Sequence, residues 1–164
     1  MTTTNTPFQL AQVNLARLRH SLESPELKPF VDGLDPVNAV ADTADGFVWR
    51  LQTEGGDATA LRVFGDPSML INMSVWRDAE SLKAFMYQGR HRELLARRHE
   101  FFERVREPMA ALWWVPSGHR PTPAEAESRV LHLRAHGPTP YAFTLRDRFP
   151  PGPAEPVAST GDAG

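Results

Sequence analysis

Asn72 and Ser74 stand two residues apart inside Ile71–Trp76, a run otherwise apolar enough to be a buried strand. A side-chain amide can hold a carbonyl or enolate oxygen by hydrogen bonding, which is the work of an oxyanion hole. Gln12 and Asn14 recur at alternate positions of Phe8–Ala16, and Arg50 interrupts "FVWRL". Asn72 with Asn14 admits two readings: an oxyanion site, or a pair of buried amides satisfying each other or water across a subunit interface. Candidate bases are histidines, whose ordinary pKa lies near neutrality. His91, behind "YQGR", is either a general base or a surface residue of the helix "RHRELLARRHE". His119, in "SGHRPT", sits on a loop between a strand and a capped helix and could move a proton or shape the turn. Tyr87 is a possible proton donor at a pocket mouth, or packing. His136 is expected at a helix C-terminus, favoured by the dipole.

The remaining composition removes many alternatives. The 164 residues suit one domain, and without cysteine there are no disulfides, thiolate chemistry or Cys-ligated metal. Eighteen Lys and Arg against 20 Asp and Glu argue against a general nucleic-acid binder. The basic stretch from Arg90 to Arg106 is interleaved with Glu93, Glu100 and Glu103, as on a solvated helix face. No Gly-rich phosphate loop, HExxH motif, nucleophile elbow or metal-spaced carboxylate cluster appears, so no metal site is expected. Without a signal sequence or an apolar membrane span, a cytoplasmic location is the default.

Positioning these residues falls to a short series of elements. Residues 1–7 and the Pro/Gly-rich tail, 150–164, are expected to be loose, leaving a domain over 8–149. Phe8–Ala16 alternates as a half-buried strand. Ser24 and Pro25 open a helix broken at Asp35-Pro36 and ending near Ala44. "FVWRL" and "MLINMSVW" follow as strands, joined by a polar, Gly-rich connection. Asp78 caps one helix, a second amphipathic helix covers 90–105, and "MAALWWVPSG" is the last clear strand. Thr122 and Glu125 form a capping box for a helix that Gly137 and Pro138 end, expected to lie outside the core. "YAFTLRDRF" adds a short edge strand. The order predicts an α+β, ferredoxin-like split βαβ fold with a four-stranded antiparallel sheet and an extra C-terminal helix.

In that fold Ala11, Val13, Leu15, Phe47, Trp49, Leu51, Ile71, Met73 and Val75 are expected to face the helices. Gln12, Asn14, Arg50, Asn72, Ser74 and Trp76 then share the opposite face. That face is expected to line a cavity closed by a second subunit, sheet against sheet. Trp113 and Trp114 point to opposite sides of their strand, and Trp113 is assigned to the cavity wall.

The stretches "LAQVNLARLR", "GFVWRLQTEGGDA", "INMSVWRDAESLKAFMY", "ALWWVPSGHRPTPAEA" and "RAHGPTPYAFT" resemble an uncharacterised bacterial family. It belongs to the dimeric α/β-barrel superfamily, together with antibiotic-biosynthesis and haem-degrading monooxygenases. The resemblance implies a homodimer and a small-molecule ligand. It also implies that Asn72 and Trp76, four residues apart, match a cofactor-independent monooxygenase site that holds a substrate carbanion. Asn14 matches an Asn of the haem-degrading branch, but Leu95 falls where that branch has its haem ligand, with His91 and His99 one turn to either side. The leading expectation is thus an enzyme without a cofactor, a monooxygenase or an isomerase or cyclase acting on an apolar or aromatic metabolite. There Asn72, His91 and His119 would be catalytic, and Asn14, Gln12, Arg50, Ser74, Trp76, Tyr87 and Trp113 would bind substrate. Haem binding, with His91 or His99 as ligand, and a non-catalytic ligand-binding dimer are the alternatives.

Overall fold

A computed structural model describes residues 7–52 and 68–158. Its elements are β1 (Phe8–Arg17), a 3-10 turn (Pro25–Leu27), α1 (Lys28–Asp42), β2 (Phe47–Arg50) and β3 (Met69–Trp76). Then come α2 (Ala79–Met86), α3 (Gly89–Ala96), α4 (Arg98–Phe101), β4 (Ala110–Pro116) and α5 (Pro123–His136). The strands form one antiparallel sheet in the order β2-β3-β1-β4, the split βαβ arrangement. Most of the Gly-rich connection before β3 lies outside the described residues.

Local signals set most boundaries. The Asp78 carboxylate accepts the Ser81 N–H at 2.8 Å and opens α2. The Thr122 hydroxyl accepts the Glu125 N–H at 3.1 Å and opens α5. Ser24 does not cap with its side chain; Pro25 enters a 3-10 turn, and α1 then runs unbroken through Pro36. The carbonyl that Pro36 leaves unpaired belongs to exposed Asp32, where water can take it. The long helix expected over 90–105 divides at Arg97 instead. The division turns Phe101, 1% exposed, onto Leu18, Leu27 and Leu70. "YAFTLRDRF" contributes one bridge at the sheet edge, where Leu112 and Phe143 exchange both backbone hydrogen bonds.

Gly46 makes the turn into β2 with φ +83°, and a Cβ there would collide with the Ser81 Oγ. Gly46→Ala combines a left-handed backbone with a clash against the buried first turn of α2, and should cost roughly 2–4 kcal/mol. A urea midpoint that does not move would show that the turn can relax.

The faces of the sheet depart from expectation. Residues were grouped correctly: Gln12 lies opposite Ser74, Asn14 opposite Asn72 and Arg50 opposite Ser74, on one surface. That surface, however, is the one α1–α4 cover. Trp76 stacks on Phe85 of α2 at 5.2 Å, and Leu18 and Leu70 pack with Phe30 of α1 and Leu94 of α3. The apolar set, with Ala11, Val13, Ile71, Met73 and Val75, packs on α5 through Ala126, Val130 and Leu133. Thus α5 is a core helix rather than an outer decoration. A register shift between Phe47 and Trp49 also places these two on opposite faces. Phe47 joins Trp76, while Trp49 and Leu51 pack against the α5 core.

One chain therefore covers both faces. Ala11, Val13, Met73, Val75 and Trp113 are at most 1% exposed, so the bare sheet face on which the expected subunit contact rested is absent among the described residues. The tail, expected to be loose, is described to residue 158, and the Val157 N–H donates to the His132 Nε2 at 2.8 Å. No helix among the described residues is long and apolar enough to cross a membrane.

Candidate functional site

Between the sheet and the helices α1 and α3 lies a cavity of about 310 Å³, open on one side. Its volume is at the small end for ligand sites. Asn14 and Asn72 form its sheet wall, with Arg50 at the edge. Phe30, Leu34 and Val37 of α1 face Leu94 and Leu95 of α3 across it, and Met86 and His91 close one end. The helices can stand off a polar strip because apolar contacts on either side hold them: Trp76 with Phe85 toward one end, and Leu18, Leu27, Leu70 and Phe101 toward the other.

Behind the wall the polar groups form one chain. The Gln12 Nε2 donates to the Asn72 Oδ1 at 2.9 Å and to the Ser74 Oγ at 2.7 Å. The Gln12 Oε1 accepts from the Asn14 Nδ2 at 2.8 Å, and the Trp76 indole N–H donates to the Ser74 Oγ at 2.8 Å. Gln12, Ser74 and Trp76 are buried, whereas Asn14 and Asn72 are exposed toward the opening. Gln12 thus engages the oxygen of Asn72 and leaves its Nδ2 hydrogens for a ligand; at Asn14 the Oδ1 is left. A buried amide with both ends used is a rigid support for its neighbours.

His91 adds a titratable group. Its Nδ1 lies 3.1 Å from the Met86 carbonyl, so it carries the proton and donates, and the Nε2 keeps its lone pair. Burial pushes its pKa below the ordinary value, and the Met86 bond opposes that shift only in part. The ring packs against Phe85 at 5.1 Å. His91 is therefore a neutral base at neutral pH.

Other expected residues lie elsewhere. His119 is on the far side of the sheet, its Nε2 2.7 Å from one oxygen of Glu125, whose other oxygen accepts the Trp113 indole N–H at 2.8 Å. Trp113 itself is fully buried under α5, not on the cavity wall. Trp114 points to the opposite face and donates to the Phe149 carbonyl. Tyr87 is 65% exposed and does not line the cavity. Arg50 lines it but is held by Asp42, Nε to Oδ1 at 2.7 Å and Nη2 to Oδ2 at 3.3 Å. Sequence reasoning missed Asn38 and Arg98, both in the lining. Asn38 was findable, because it falls at helical spacing on the stripe Phe30, Leu34, Val37 of α1.

The haem alternative can be set against this geometry. His91 has the backbone partner a ligating histidine usually has, but a cavity of about 310 Å³ has no room for a porphyrin between α1 and α3 as they stand. His99 lines a neighbouring hollow instead. Haem does not fit this site. Among the described residues no three His, Asp or Glu are grouped to hold a metal ion.

No curated protein matches the chain. Several solved structures are similar at low identity. A conserved protein from Methanosarcina mazei is 12% identical, with a TM-score of 0.47 over 67% of this chain and 93% of its own. Rv0793 from Mycobacterium tuberculosis is 13% identical, with a TM-score of 0.47 over 70% of this chain and 99% of its own. SnoaB from Streptomyces nogalater, a cofactor-independent oxygenase, is 14% identical, with a TM-score of 0.42 over 70% of this chain and 95% of its own. Similarity this distant carries nothing about chemistry. Residues 9–159, nearly the whole chain, match one family, and the protein belongs to it: the domain of unknown function DUF3291.

Proposed function

We propose that the protein is a small-molecule enzyme that removes a proton from carbon next to a carbonyl group, without a cofactor. One observation carries this reading: a neutral histidine with its Nε2 unprotonated lines the same cavity as an amide whose oxygen is already taken by Gln12. His91 takes the proton at Nε2 as the C–H bond breaks. The electron pair moves onto the carbonyl oxygen, and the Asn72 Nδ2 hydrogens stabilise the enolate. Return of the proton to a different carbon gives an isomer; attack of the carbanion within the same molecule gives a ring. With dioxygen as co-substrate, the same carbanion would be oxygenated. The apolar α1 and α3 walls favour an aromatic or alicyclic substrate.

Deuterium exchange tests the shared first step. With 2-tetralone as probe in D2O, the protein should accelerate exchange at the carbons beside the carbonyl, followed by proton NMR. Asn72→Ala should lower that acceleration by roughly 10²–10³, the effect of losing an oxyanion donor. Exchange no faster than in buffer, or equal in Asn72→Ala, rejects the reading.

A further inference from the structure

Charge is unevenly distributed around the cavity. Among the described residues its lining contains two guanidinium groups, Arg50 and Arg98, and no carboxylate. Arg50 is already matched by Asp42, and its side chain is only 15% exposed. Arg98, in the first turn of α4, is exposed, and its contact with the Leu95 carbonyl is a long one, 3.4 Å from Nη1. Its neighbour Arg97 takes Glu100 through two bonds of 2.9 Å, so the nearest carboxylate on the same turn is engaged elsewhere. No ion pair among the described residues includes Arg98.

Arg98 also stands where two hollows meet. The second hollow shares Leu15, Ala16, Leu95, Arg98 and Phe102 with the cavity. Among the described residues it adds Arg19, Arg104 and His99, against one carboxylate, Glu103. The Arg19 Nε is fixed by the His99 and Phe102 carbonyls, both at 2.9 Å. A low-dielectric cavity whose mouth carries this excess of positive charge draws in anions.

We propose that the ligand is a carboxylate: a mainly apolar carbonyl compound whose carboxylate pairs with Arg98 while its body lies between α1 and α3. A guanidinium meets a carboxylate through two parallel N–H bonds, which one unmatched arginine can supply. The proposal names the substrate class of the enolisation read above and rests on that reading for the role of the carbonyl. The binding of the anion stands apart from it.

The test is a matched pair of probes, 2-naphthoate and the neutral 2-naphthamide, titrated calorimetrically into the full-length protein. The wild type should prefer the carboxylate by about tenfold or more, as a charged hydrogen-bonded pair gives. Arg98→Gln should lose that preference with amide affinity unchanged, and Arg98→Lys should recover part of it. Transfer of magnetisation from the probe to the Leu34 and Leu94 methyls would place it in the cavity. Equal affinity for the two probes, preference retained in Arg98→Gln, contacts at other methyls, or no binding of either probe overturns the proposal. Preference that tracks Arg98, in a protein that does not accelerate deuterium exchange, would uphold the carboxylate ligand and reject the enolisation.

Discussion

His91→Gln should slow proton abstraction by about 10²–10⁴, the usual contribution of a positioned general base, and leave KM nearly unchanged. Glutamine can still donate a hydrogen bond to the Met86 carbonyl, as the His91 Nδ1 does at 3.1 Å, but it cannot take a proton at neutral pH. The wild-type pH profile should carry the same signature. Burial holds the His91 pKa below its ordinary value of about 6.5. Its lone pair is therefore retained through neutrality, and activity should fall only at pH below that value. The sign for stability agrees. As pH falls, the unfolded chain takes up the proton first, so the folded state loses stability between the unfolded and the folded pKa. An acid limb midpoint above about 6.5, or one that persists in His91→Gln, would remove His91 as the base. Titration of its ring proton by NMR gives the folded value directly.

The alternation of each strand was legible in the sequence, and with it the convergence of Gln12, Asn14, Arg50, Asn72, Ser74 and Trp76 on one surface. Which layer covers that surface was not. Period-two patterning groups residues by side but carries no label for the side the crossover helices take. The usual expectation, that the most apolar side meets the helices, failed here for a physical reason. Helices α1 and α3 enclose a cavity, so their side of the sheet can be polar, while the fully apolar side is sealed by α5. The caps at Asp78 and Thr122 were readable because a side-chain oxygen and a backbone N–H three residues on suffice to make them. The displacement of Trp49 was not, since a bulge depends on the pairing of two strands rather than on either one. His119 was misplaced for a similar reason: its loop follows a strand end, but on the α5 side, where Glu125 takes its ring.

The position of Trp113 turns that difference into a measurable one. If it walled the cavity, its removal would raise KM and leave the fold nearly intact. Instead it is fully buried on the α5 side, beside Val130 and Ala126, with its indole N–H given to Glu125. The Arg129 guanidinium lies 5.7 Å from its ring centre and 3.7 Å from that of Tyr141. Trp113→Ala therefore opens a large void under α5, strips Glu125 of a donor and leaves the Arg129 cation with one aromatic face fewer. Loss of a core tryptophan typically costs about 3–5 kcal/mol, a large part of the stability of a domain this size. The urea midpoint should fall accordingly, with α5 the first element to lose amide-exchange protection. In whatever fraction stays folded, affinity for 2-naphthoate should match the wild type, because Asn14, Asn72 and Arg98 are on the other side of the sheet. The opposite pattern, weak probe binding with an unmoved midpoint, would return Trp113 to the cavity and undo the assignment of faces on which the site rests.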